Sequence, residues 1–228
     1  LGHQTLSGLI AAAEELNTHK ELQVVIVRGA GAVFTAGADV AAFDADHEMT
    51  HEEADAGRVM AEAVEAIEAV TIAQIHGHCI GGGVVLAAAC DLRIAAEGTS
   101  FSIPEIDLGI PLAWGGIPRM LRELGPARVK ELVMTCRPFT AQEALALGFL
   151  NDVVPADRLD HAVAALADVL LAKPRGPLVA TKLHVNAVTR QMTGTDRSWA
   201  DADALLAARH DPINRQAAAD YLEQMRRE

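Results

Sequence analysis

Glu105 and the triplet Gly81-Gly82-Gly83 are residues whose type and surroundings could do chemistry. Glu105 follows Pro104 among apolar neighbours, in the run Phe101 to Gly109. Burial disfavours the charged form of a carboxyl and would move it from about 4.3 toward the ~6–7 that suits a general base at neutral pH. Composition alone favours a solvated or helix-capping carboxylate at this position. The triplet follows a short apolar run and opens an apolar helical pattern. A helix N-terminus carries unpaired N–H groups and the positive end of the helix dipole. Glycines there clear every side chain from the approach, so a bare N–H of Gly81, Gly82 or Gly83 could donate to an oxyanion. Close helix–strand packing would demand the same glycines.

A second small-residue loop, Gly29 to Asp39, follows another apolar run. It is not a dinucleotide-binding turn, because the third glycine of that pattern would fall at Phe34. Its stretch Ala36-Gly37-Ala38-Asp39 is small enough for a ligand to approach the backbone. A tight strand-to-helix turn would also explain it. Two such loops, each after a buried strand, suit a paired oxyanion hole, each donor worth ~2.7–4 kcal/mol of transition-state stabilisation.

The elements that must position these groups follow from periodicity. Leu22 to Arg28 and Ile72 to Ile75 are expected as buried strands, with Asp91 to Ala95, Thr99 to Ile103 and Asn151 to Val154 as further strands. An amphipathic helix is expected over His51 to Val70, with Val59, Ala63, Ile67 and Val70 on one face. Two short helices fit Gly116 to Leu124 and Pro126 to Thr135. Thr140 and Glu143 have capping-box spacing for a helix that stops near Gly148. Alternating strands and helices predict an α/β fold with mostly parallel pairing. Residues 1–155 are expected to form the core, and residues 156–228 a helical region for packing or oligomerisation. The chain opens directly on a helical pattern, so a preceding N-terminal segment is expected.

The 228 residues carry a formal charge of −12 and are half apolar. That length can bury a large core. Acidity and the lack of a basic run speak against nucleic acid and anionic membrane surfaces. Cys79, Cys90 and Cys136 form no CxxC pair, so neither a zinc site nor a disulfide framework is expected, and a reducing cytoplasm is. No apolar run approaches the length of a membrane span.

Three segments together resemble the crotonase (enoyl-CoA hydratase/isomerase) family. VVIVRGAGAVFTAGADV is similar to its first signature, IHGHCIGGGVVLAAACDLRIA to its second and FSIPEIDLGIPLAWGGIPRM to its third, in matching order. GPARVKELVMTCRPFTAQEALALGFLNDVVP resembles the stretch leading into the family's C-terminal helices. The resemblance implies a spiral of ββα units with a C-terminal helical trimerisation region, as homotrimers or hexamers built as dimers of trimers. It implies an acyl-CoA thioester as substrate, with no cofactor beyond that CoA and no metal. By resemblance, the N–H groups of Ala38 and Gly82 are the oxyanion donors, Glu105 is the acid/base, and Ala36, Asp39 and Val40 line the CoA-binding turn. Gly81 and Val85 join the expected substrate-contacting set, and Trp114 is expected on the acyl-pocket wall, with ordinary core packing as its alternative.

The sequence departs from the family's hydratases at Val85, where they carry a second Glu. A single Glu resembles the Δ3,Δ2-enoyl-CoA isomerases, and Ala113 stands where dienoyl isomerases carry Asp. Isomerisation is therefore the expected reaction. Two alternatives stay open: a hydratase using Glu105 with Asp107 or His78, and a non-catalytic acyl-CoA-binding protein. His76 and His78 are expected to be held by local hydrogen bonds. His47 and His51, four apart, could bind a metal, but a charged helix start accounts for them. Ser100 and Ser102 lack the GxSxG elbow of a serine hydrolase. Lys182 and Arg119 could meet CoA phosphates or be solvated surface cations.

Overall fold

The computed structural model describes residues 1–39, 48–196, 198–225 and 227. After α1 (His3–Leu16), strand β1 (Val24–Arg28) leads through the small-residue loop to α2 (His51–Glu65). Then come β2 (Val70–Ile75), β3 (His78–Ile80), α3 (Gly82–Ala89), β4 (Leu92–Ala96) and β5 (Ser100–Ser102). Helix α4 (Gly116–Thr135), β6 (Phe139–Thr140), α5 (Ala141–Ala146) and β7 (Asp152–Val154) follow. The chain ends on α6 (Leu159–Leu171), α7 (Arg175–Met192), α8 (Asp201–His210) and α9 (Pro212–Met225).

Four strands form a parallel sheet in the order β1-β2-β4-β7. A smaller sheet runs β3-β5-β6, parallel then antiparallel. Strand β2 is buried along its whole length, because both faces of its sheet are covered. Ala73, Ile75 and Ala95 face the main core. Ile72, Ile94 and Ala96 face α6, through Leu159, Val163 and Ala167. The period of two along each strand sorts the residues this way.

The expected elements form, with four corrections. Strand β1 is not fully buried: it is the sheet edge, and Ile26 is 42% exposed. Helix α2 stops at Glu65 rather than Val70, since Val70 and Thr71 pair with Val24 and Val25, and Asp91 accepts from the Thr71 N–H (2.7 Å) and Oγ1 (2.9 Å). The two helices expected on either side of Leu124 form as the two halves of α4, separated at Gly125, whose φ of 71° and ψ of 165° break the helix before Pro126. Strand β3, too short to show a period, is held by β5 through Cys79 and Phe101. Thr140 caps α5 through the Glu143 N–H, but the Glu143 carboxylate turns to Arg137. At α2 the box is complete, with Thr50 and Glu53 bonded reciprocally.

Candidate active site

The loop after β1 returns alongside β3 through one parallel bridge between Thr35 and Cys79. Phe34 donates its N–H to the His76 carbonyl (2.7 Å) and Thr35 to the His78 carbonyl (3.0 Å). The Ile80 N–H donates back to the Thr35 carbonyl at 3.2 Å. Gly37 then turns with φ 92°, and a Cβ there would stand 3.0 Å from the Ile80 carbonyl oxygen. Thr35 is buried, and its Oγ1 accepts from the Gly37 N–H. The Ala38 N–H has no hydrogen-bond partner among the described residues. Ala36 and Asp39 are exposed beside it. Val40 and His47 lie outside the described residues.

Strand β3 runs directly into the glycine triplet, and each of its glycines is demanded by a different neighbour. A Cβ on Gly81 would stand 2.6 Å from Glu105 Oε1. One on Gly82 would fall inside the Trp114 indole, and one on Gly83 would overlap Thr35 Cγ2. The three missing methyl groups thus let the first loop, the start of α3 and the Glu105 loop close on one point. The Gly81 N–H is used by the Ser102 carbonyl (2.8 Å). The Gly82 N–H, at the first position of α3, has no partner among the described residues, as a helix N-terminus leaves it.

Glu105 is neither a solvated nor a capping carboxylate. Its Oε2 is sealed from solvent and makes no hydrogen bond among the described residues. Burial is the main cause that pushes its carboxyl up to about 7. The loop behind it is fixed by its own backbone, Leu108 to Pro104 and Ile110 to Glu105. Val85, one turn along α3 from Gly82, is wholly buried. Its Cγ2 lies 2.9 Å from where a Gly116 Cβ would be, next to Leu112. Ala113 is buried and Asp107 exposed.

Trp114 packs its ring between Gly82 and Gly57 of α2. Its backbone is left-handed, φ 62°. Arg119 donates to the Trp114 (3.3 Å) and Gly115 (3.1 Å) carbonyls, and Asp201 accepts the Gly115 N–H at 2.8 Å.

The two cations considered for phosphate are engaged elsewhere. Arg119 is 1% exposed and pairs with Glu65 at 2.8 Å; Arg122 pairs with the same carboxylate at 2.6 Å. Desolvation pulls the Glu65 carboxyl up, but the two guanidiniums together outweigh it and leave it below the ordinary carboxylate range. Lys182 is buried on Asp91 (2.7 Å) and the Ala69 carbonyl (2.9 Å). Neither is a solvated surface residue, because each crosses between elements to a buried partner. His76 meets the Gly31 carbonyl at 2.9 Å, while His78 is exposed. His51 faces Asp203 at 3.4 Å. Thr35, Gly57 and Asp201 were not singled out from sequence. Gly57 alone left a signal, a glycine inside a helix, where it costs ~1 kcal/mol against Ala.

The family model for enoyl-CoA hydratase/isomerase matches residues 1–227. A probable enoyl-CoA hydratase of Mycobacterium tuberculosis is 36% identical over 189 residues, 81% of this chain and 71% of the relative. A crotonyl-CoA hydratase of Syntrophomonas wolfei is 35% identical over 217 residues, 92% of this chain and 82% of the relative. The crystal structure of an enoyl-CoA hydratase from Mycobacterium avium subsp. paratuberculosis superposes with a TM-score of 0.86 at 26% identity, covering 96% of this chain and 85% of that one.

Proposed function

Since the chain belongs to the enoyl-CoA hydratase/isomerase family of enzymes, we propose that it isomerises 3-enoyl-CoA thioesters to 2-enoyl-CoA with Glu105 as the single acid/base. The observation that carries this reading is the half-buried Glu105 against the Gly81 turn, its Oε2 sealed from solvent without a hydrogen-bond partner among the described residues, with Val85 in place of a second carboxylate. The thioester oxygen accepts hydrogen bonds from the Ala38 and Gly82 N–H groups. Glu105 takes a proton from C2, and the electron pair moves onto that oxygen as an enolate. The double bond shifts from C3–C4 to C2–C3 as Glu105 returns the proton to C4. The two donors act because they bind the enolate more strongly than the neutral thioester. Ala36 and Asp39, both exposed, line the CoA side. A group with its pKa near neutrality can both take and return the proton.

The test is ultraviolet absorbance of a 3-enoyl-CoA with the protein and with Glu105→Gln. Appearance of the conjugated thioester with the first alone supports the assignment; equal activity of both removes Glu105 from its role.

The names of the relatives, enoyl-CoA and crotonyl-CoA hydratases, favour a second reading, hydration of 2-enoyl-CoA. Hydration in this family uses two carboxylates on one water, and valine can neither hold nor activate one. Val85→Glu raises 2-enoyl hydration if the missing carboxylate is the only defect. Loss of both activities with retained thioester binding would mark an acyl-CoA-binding protein.

A further inference from the structure

We infer that the Trp114 indole gauges acyl-chain length, stopping the substrate at a short acyl group and closing the way to a second apolar cluster behind it. This rests on the acyl-CoA reading above. A thioester oxygen on the Gly82 N–H places the first acyl carbons against the indole, because Cη2 lies 2.9 Å from where a Gly82 Cβ would be. Glu105 stands over the neighbouring Gly81. The acyl chain leaving that point therefore meets the ring.

Beyond the ring lies an apolar cluster that an acyl chain could reach only if the ring were absent. Trp114 packs against the main core on one side. On the other it packs against a separate cluster of Ala54, Leu108, Ile110, Ala113, Ala202 and Leu205. Removing an indole from such surroundings leaves a dry cavity of the order that holds benzene, roughly 150 Å³.

The protein accepts two costs to keep this ring in place. A non-glycine residue at φ 62° stores backbone strain and persists only where its surroundings over-determine it. Here Arg119 and Asp201 fasten the backbone on either side of the Trp114–Gly115 peptide. Gly57 in the interior of α2 gives up helix propensity, and its missing Cβ is the space the indole fills. Filling a core needs neither device, since a smaller apolar residue with an ordinary backbone would do so.

The test titrates butyryl-, octanoyl- and dodecanoyl-CoA calorimetrically into the wild-type protein, Trp114→Ala and Trp114→Phe. Wild type loses affinity as the chain lengthens. Each methylene that gains a buried place is worth roughly fourfold in affinity, so the octanoyl-to-butyryl affinity ratio rises at least about tenfold in Trp114→Ala. Trp114→Phe, which keeps a ring and guards against misfolding of the alanine variant, falls between. An unchanged ratio in both variants overturns the gauge while butyryl-CoA binding leaves the acyl-CoA reading standing. Wild type binding dodecanoyl-CoA as tightly as butyryl-CoA overturns it as well. If wild type binds none of the three, the acyl-CoA reading fails and the gauge fails with it.

Discussion

Glu105 changes charge near neutrality because its surroundings solvate the anion poorly, and this has two measurable consequences. As a base it must be ionised, so isomerisation rises with pH through about 7 and levels above it. A pH–rate profile with no limb there would remove Glu105 as the titrating base. The same shift acts on stability. The folded protein holds this proton up to about 7, whereas the unfolded chain loses it near 4.5. Between these values the native state binds more protons, so stability falls as pH rises through this window, by at most a few kcal/mol. Glu105→Gln removes that slope. The melting temperature of the variant relative to wild type should climb across this window, and a constant difference would contradict the burial argument.

Helix α2 is tied to α4 by charge and to the Trp114 loop by an absence of atoms, and each tie can be tested at the level of the element. Arg119→Met leaves Glu65 buried with one cation instead of two and should destabilise by about 3–5 kcal/mol in urea unfolding. Because the Glu65 carboxyl is held below its usual range, its contribution is complete above the unfolded value and lost as pH falls. Gly57→Ala sets helix propensity against packing. In wild type the new methyl group meets the indole, and the variant should be destabilised. In a Trp114→Ala background the clash is gone, and the same change should stabilise by up to ~1 kcal/mol. A Gly57→Ala effect of equal sign in both backgrounds would show that the contact does not govern this glycine.

At the scale of the whole molecule, the C-terminal helices are built into the core rather than appended to it. Helix α6 covers the second face of the parallel sheet through Leu159, Val163 and Ala167. Lys182 of α7 reaches Asp91 at the start of β4, and Asp201 of α8 holds the Gly115 turn. A chain ended at Pro155 would bare Ile72, Ile94 and Ala96 to water and should show neither cooperative unfolding nor dispersed amide resonances. Helix α7 leaves Leu183, Val185, Val188 and Met192 exposed, and Trp199, between α7 and α8, is exposed as well. We propose that these belong to the contacts of a homotrimer, or a hexamer made of two. Light scattering should then give a mass at least three times the 24.1 kDa of one chain; a monomer at micromolar concentration would refute it. Among the described residues no helix is long and apolar enough to cross a membrane.

The strand and helix types were legible in the sequence because they depend on local pattern: the short apolar run of β2, the amphipathic face of α2, the break at Gly125-Pro126. The order of the glycine loops and Glu105 was legible too, since each loop stands directly after an apolar run. What the sequence could not supply was environment. The exposure of Ile26 depends on β1 having one neighbour in the sheet. The burial of Arg119 and Lys182 depends on carboxylates 54 and 91 residues away. Glu105 reads in composition as a surface carboxylate, and only the approach of the Gly81 turn, distant in sequence, seals its Oε2 from water. Local geometry follows from neighbours along the chain, but desolvation and charge pairing follow from neighbours in space, which the tertiary structure alone determines.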